Sequence, residues 1–304
     1  MKLQSKSART RIPAGRRQPP NSSRVGLNPT ALHRKTSPRL VAVMSVMRHE
    51  SVGNTPRTDV ASRFGIVPLK GGHYPAKHRQ EHLYGLDLPG EAKSMAQGER
   101  IANELMRSKQ VSRDLQNRGV VFNGVYSPLV RAIETGEFVR QGLSMRFRDK
   151  KIPLVGQFAH TTPDLHILRA PAHLSYYPKT KQEVSAVVDE FTRWTKGEPV
   201  KGWELRKDFL KRALTVRKMK ETILENIRNK RFGAKDPVIF LGYFGHGGVP
   251  GIAGDIDAEA RALTGMEREK MGGLIARGES VSQLLFSDGS IKTVVLKKNK
   301  TIRH

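Results

Sequence analysis

The sequence predicts an α/β fold in which a largely parallel sheet is covered by helices on both faces. Three observations predict it. Short apolar runs rich in β-branched residues recur along the chain. Segments with helical spacing of apolar residues separate them. The chain then closes on two apolar runs around an Asp-Gly pair. Strands that alternate with helices run parallel and bury both faces, so they read as near-continuous apolar runs rather than as alternating ones.

The elements follow in order. Residues 40–47, Leu-Val-Ala-Val-Met-Ser-Val-Met, have the length and branching of a buried strand. Residues 88–107 read as a helix whose apolar positions are Ala92, Met95, Ala96, Ile101, Ala102 and Leu105. Residues 119–126 form the second strand and 129–141 the helix after it. Helices are expected over 181–196, over 204–230 with a basic outer face, and over 256–276. Residues 238–244, Val-Ile-Phe-Leu-Gly-Tyr-Phe, are the third buried strand. The end reads as a hairpin of 281–286 and 291–296, because Asp288-Gly289 between apolar runs favours a tight turn.

Composition sets the outer limits. The 304 residues contain no cysteine, which excludes disulfides, thiolate metal sites and cysteine nucleophiles. No run approaches eighteen apolar residues, so no membrane span is expected. Lys and Arg total 54 against 28 Asp and Glu, a net charge of +26. Such a field attracts phosphorylated substrates, nucleic acid and other polyanions. Residues 1–38 hold no acid, many Lys and Arg, and five prolines. They read as a basic, disordered arm preceding a single domain over 39–304. The arm suits a mitochondrial targeting peptide or a polyanion-binding arm equally, which leaves an intracellular protein divided between cytoplasm and mitochondrial matrix.

In a parallel sheet the functional groups gather beyond the carboxyl ends of the strands. That rule selects Arg48-His49-Glu50-Ser51-Val52-Gly53-Asn54 after the first strand. It selects Ser127-Pro128-Leu129-Val130-Arg131-Ala132-Ile133-Glu134-Thr135 after the second. After the third it selects His246-Gly247-Gly248, reached through Gly245. An Arg-His pair alone means little, and a second one, Arg303-His304, stands at a terminus expected to fray. Together the three segments bring two imidazoles and two guanidiniums to one pocket. Guanidinium forks suit phosphate oxygens. A neutral imidazole can attack phosphorus and carry it covalently, and a second can hydrogen-bond the transferring oxygens. Nothing in the pattern calls for a metal or another cofactor.

These three segments resemble the motifs of the histidine phosphatase, or phosphoglycerate-mutase-like, superfamily. The resemblance runs from about Leu40 to the C-terminus. It implies a three-layer α/β/α sandwich with a mostly parallel central sheet and a C-terminal β-hairpin. It also implies a metal-independent phosphomonoesterase in which His49 becomes the phosphohistidine. Arg48, Arg131 and His246 would line the phosphate pocket, with Asn54 and Gly247 as further phosphate contacts. The sequence departs from the motifs in three places. Glu50 stands where a glycine normally follows the histidine, or, by a one-residue slip, in the motif's usual glutamate position. Gly136 replaces the final alanine of the middle motif. Leu168-Arg169-Ala170 lacks the glutamate expected as general acid, so Asp164 is the nearest carboxylate and His166 a further proton donor. A catalytically weak relative that binds nucleic acid or a ribonucleoprotein, through the arm and the 204–230 helix, is the other reading. A phosphomutase ranks below both, for want of the mutase branch's substrate segments.

Overall fold

The computed structural model describes residues 37–66, 83–162, 180–229, 236–245, 260–261, 264–267, 269–273 and 275–304. Those from Pro38 onward belong to one compact unit. The basic arm, Asp164, His166, His246 and Gly247 lie outside the described residues, apart from Ser37 and Pro38 at the arm's end.

The strands β1 (Leu40–Arg48), β4 (Val120–Tyr126), β5 (Leu154–Thr161) and β6 (Val238–Gly245) are mutually parallel, in the spatial order β5-β4-β6-β1. The sheet continues from β1 through β7 (Ser280–Phe286), β8 (Ile291–Leu296) and β9 (Thr301–Arg303), all antiparallel to their neighbours. β7 and β8 are the expected hairpin. A second, two-stranded sheet pairs β2 (Val52–Pro56) with β3 (Tyr84–Leu86).

β1 is buried on both faces, which is why it lacks polar alternation. Leu40, Val43 and Met47 join one core with Ile101, Leu105, Val111, Leu115, Val139 and Leu143. Those partners come from α2 (Leu88–Met106), α3 (Lys109–Arg118) and α4 (Val130–Asp149). Val41, Met44 and Val46 join the opposite core, against which Met219, Ile223 and Leu224 of α6 (Arg206–Arg228) pack. Helices on both faces make the three layers. α5 (Lys181–Thr195) meets the start of α6 where Trp194 lies edge-on to Phe209 at 5.4 Å, and Trp203 of the connecting segment donates to Glu190 of α5 at 2.8 Å. Among the described residues no helix is long and apolar enough to cross a membrane.

α4 runs two turns beyond the expected 129–141, because Val139, Leu143 and Phe147 keep one apolar face buried at four-residue spacing. α2 and α4 pack nearly backbone to backbone. A Cβ built on Gly98 would stand 2.0 Å from the Val139 carbonyl oxygen, and one on Gly142 would stand 2.0 Å from that of Met95. The glycine in place of the middle motif's final alanine has a similar cause. A Cβ on Gly136 would meet the Tyr126 ring at 2.2 Å.

Two expectations are corrected. The helix over 256–276 does not continue beyond Thr264 among the described residues. Gly265, Gly272 and Gly273 take positive φ there, which a right-handed helix does not permit. The terminus is also not frayed. Arg303 is in β9 and binds Glu104 of α2 through both guanidinium arms, while His304 exchanges backbone hydrogen bonds with Thr293 at 2.9 Å.

Candidate functional site

The strand ends meet as the parallel topology requires. Arg48 stands opposite Gly245, and Tyr126 opposite Phe244. Past those rungs the pairing continues irregularly. His49 N donates to Gly245 O at 3.2 Å, Ser127 N to Phe244 O at 2.9 Å, and Thr162 N to Tyr126 O at 2.9 Å. Four chain crossings thus turn out of the sheet side by side. Gly245, the residue before His246, is hydrogen-bonded to the backbone of His49.

The loop that carries His49 is held from three sides. Glu50 N donates to Thr135 Oγ1 at 3.3 Å, and that hydroxyl donates back to Arg131 O at 2.8 Å. Ser51 Oγ donates to Asp87 Oδ1 at 2.6 Å, and Asp87 caps α2 by accepting from Gly90 N at 2.7 Å. The β2–β3 ribbon is tied to α4 by buried Glu134, which accepts from Leu86 N at 2.6 Å and pairs with Arg57 at 2.9 Å. The middle motif therefore has two duties. Arg131 faces the strand ends, while Thr135 and Glu134 anchor the neighbouring loops.

His49 is 6 % exposed. Its Nδ1 lies 2.7 Å from the Glu50 carbonyl oxygen. A carbonyl can only accept, so Nδ1 carries the proton and the lone pair is on Nε2. Burial, then the Arg131 guanidinium, then Arg277 and Arg48, hold this imidazole well below its usual pKa of 6.5, against the opposing pull of the Glu50 carbonyl. Arg131 sits in the first turn of α4, whose N-terminus has no side-chain cap, so the helix dipole adds to the same positive field. In solution His49 is expected to stay neutral and Nδ1-protonated well below pH 6.5, which ¹⁵N chemical shifts across a titration will read. The linkage sign follows. Below 6.5 the unfolded chain takes up a proton that folded His49 refuses, so this residue's contribution to stability falls as pH falls. His49→Asn should remove that part of the acid-side decline.

The sequence-predicted residues are distributed as follows. Arg48, His49 and Arg131 come together. Asn54 is exposed on β2. Asp164, His246 and Gly247 fall outside the described residues. Glu50 is 4 % exposed, and burial pushes its carboxyl pKa up, opposed by Lys93, Lys298 and Arg277. Sequence reasoning missed Arg277. β7 is antiparallel to β1, and Ser280 lies opposite Met47, so the loop before β7 reaches the same end of the sheet. A strand order read from the sequence would have been needed to find it. Among the described residues no group of three His, Asp or Glu side chains is placed to hold a metal ion.

No protein-family model matches the chain. No curated protein matches it either. Among solved structures it is similar to a mycobacterial hydrolase at 13 % identity, covering 88 % of this chain and 89 % of that one, with a TM-score of 0.39. It is similar to the mycobacterial glucosyl-3-phosphoglycerate phosphatase at 15 % identity, covering 84 % and 96 %, TM-score 0.39. It is likewise similar to the alpha-ribazole phosphatase of Shigella flexneri at 13 % identity, covering 86 % and 94 %, TM-score 0.35. In the three motifs at the ends of β1, β4 and β6, the family that this chain resembles is the histidine phosphatase superfamily.

Proposed function

We propose that the chain is a phosphomonoesterase that works through a phosphohistidine on His49. One observation carries this reading. A buried imidazole, with its Nδ1 proton given to the Glu50 carbonyl, lies in the field of three guanidiniums at the shared end of four strands. The same arginines that disfavour the imidazolium attract a phosphate dianion, so the nucleophile stays neutral where its substrate is held.

In the first step the Nε2 lone pair forms a bond to phosphorus and the P–O bond to the leaving alcohol breaks. The alcohol departs with a proton supplied to its bridging oxygen. In the second step water forms the new P–O bond, loses a proton, and the P–N bond breaks to give inorganic phosphate and free His49. Arg48 and Arg131 hold the non-bridging oxygens as charge spreads over them. His246, following Gly245, is assigned as the second imidazole, with Gly247 and Asn54 as further phosphate contacts. Asp164 is assigned as proton donor to poor leaving groups. No metal takes part in this scheme.

The test is to quench the wild-type protein in base during turnover of an activated aryl phosphate and map the phosphorylated residue. Base-stable, acid-labile phosphate on His49 supports the reading. Wild-type protein that leaves the aryl phosphate intact, while binding RNA with steep salt dependence unchanged by His49→Ala, would replace it with the nucleic-acid reading.

A further inference from the structure

Beside the His49 loop is a cavity of about 330 Å³ lined by Lys93, Gln97 and Arg100 of α2, by Arg277, by Lys298, and by the Glu50 carboxyl. Four cations thus face one carboxylate. None of the four makes an ion pair within 4 Å among the described residues, although Arg100 also donates to Lys297 O at 2.5 Å. The floor is polar. Gln97 is 2 % exposed, and neither its amide oxygen nor its nitrogen has a hydrogen-bond partner. A buried primary amide left unsatisfied costs free energy that an incoming polar group would recover.

The cationic wall is preorganised. Glu279, buried beside Arg277, accepts from Ala276 N at 2.8 Å, from Lys298 N at 3.2 Å, and from Lys297 Nζ at 3.0 Å. Those bonds fix the loop that presents Arg277 and the start of the segment that presents Lys298. Gly278 turns the loop at a φ of +72°, and a Cβ there would stand 2.1 Å from Glu50 Oε1. Arg277 is the shared element. It lines this cavity and is also one of the three guanidiniums acting on His49.

We propose that this cavity is a subsite for a second anionic group of the substrate, so that the preferred substrates are phosphomonoesters that also carry a phosphate or carboxylate on the far side of Arg277 from His49. The proposal rests on the phosphatase reading of His49 for the first anionic site. Lys93 and Lys298 supply exposed charge, Arg277 a guanidinium fork shared by the two sites, and Gln97 a buried donor and acceptor. Glu50 admits only part of the compensating charge, which leaves the cavity net positive and ready for a dianion.

The test measures binding and turnover separately, in the full chain. Calorimetry compares a short-chain alkane α,ω-bisphosphonate with the matching monophosphonate. The bisphosphonate is expected to bind one per chain and about tenfold or more tighter, as one additional charge-assisted site provides. Lys93→Gln/Lys298→Gln, both exposed positions, should collapse that ratio toward one. Equal affinities in the wild type, an undiminished ratio in the double variant, or two bisphosphonates bound independently would overturn the subsite. Turnover of an aryl phosphate is followed in parallel. Hydrolysis without a bisphosphonate advantage removes the subsite and leaves the phosphatase. A bisphosphonate advantage lost in the double variant, without any hydrolysis, keeps the anion subsite and removes the phosphatase reading.

Discussion

Replacing His49 with alanine is expected to lower turnover of an aryl phosphate by a factor on the order of 10⁴ or more, because it deletes the atom that bonds to phosphorus. A good leaving group needs little help from an acid, so this substrate isolates the nucleophile. Arg131→Ala should cost about 10²–10³, the usual effect of removing one oriented donor from the transferring oxygens. The two losses should not add in the double variant, since an arginine that steadies a transferring phosphoryl group has nothing to act on without the nucleophile. Steady-state rates on the four proteins decide it. A His49→Ala protein retaining a tenth of wild-type activity would place the chemistry elsewhere. The fold should be little changed by either substitution, because the His49 loop is also held through the Glu50–Thr135 and Ser51–Asp87 bonds.

Gly98→Val is expected to lower stability by about 3 kcal/mol, equivalent to a fall in Tm of roughly 6–12 °C. The added Cβ would meet a carbonyl oxygen of the facing helix at 2.0 Å, and a backbone atom inside α4 cannot swing aside as a side-chain tip could. The helices must separate instead, which opens the core around Ile101, Val139 and Leu143. Because α4 presents Arg131, the variant should also lose activity below its melting temperature. Thermal melts and aryl phosphate kinetics on the same preparation test both. A Tm within 2 °C of wild type, by an about threefold smaller effect than expected, would show that the α2–α4 contact has slack.

The elements legible in the sequence are those whose burial is written locally. β1 and β6 are almost wholly apolar because both their faces are covered, and the β7–β8 turn carries its own Asp-Gly signal. The ends of β1 and β4 pointed to Arg48, His49 and Arg131. What stayed hidden is decided at a distance. β2 and β3 are short and partly exposed, and they exist because Glu134, far along the chain, binds Leu86 and Arg57. β5 is mostly solvent-exposed at the sheet edge and has little apolar pattern to read. α3 buries only Val111 and Leu115, too few positions to announce a helix. Arg277 was invisible for the same reason, since its place depends on the direction of β7. The helix expected over 256–276 failed the other way. Its apolar spacing was present, but the glycines within it gave the backbone a cheaper alternative.

The position of β1 has a consequence for how the molecule is made. Its two sheet neighbours are β6, beginning at Val238, and β7, beginning at Ser280, so neither edge of this apolar strand can be covered until most of the chain exists. At ribosomal speeds of about 5–20 residues per second, the roughly 190 residues between the end of β1 and the start of β6 correspond to a delay on the order of 10–40 s. During that interval nine residues of aggregation-prone strand wait with both edges open. The nascent chain is therefore expected to engage holdase chaperones early and to release them only after the C-terminal hairpin emerges. Refolding from denaturant should be slow and concentration-limited for the same reason, with closure of the sheet around β1 as its late step.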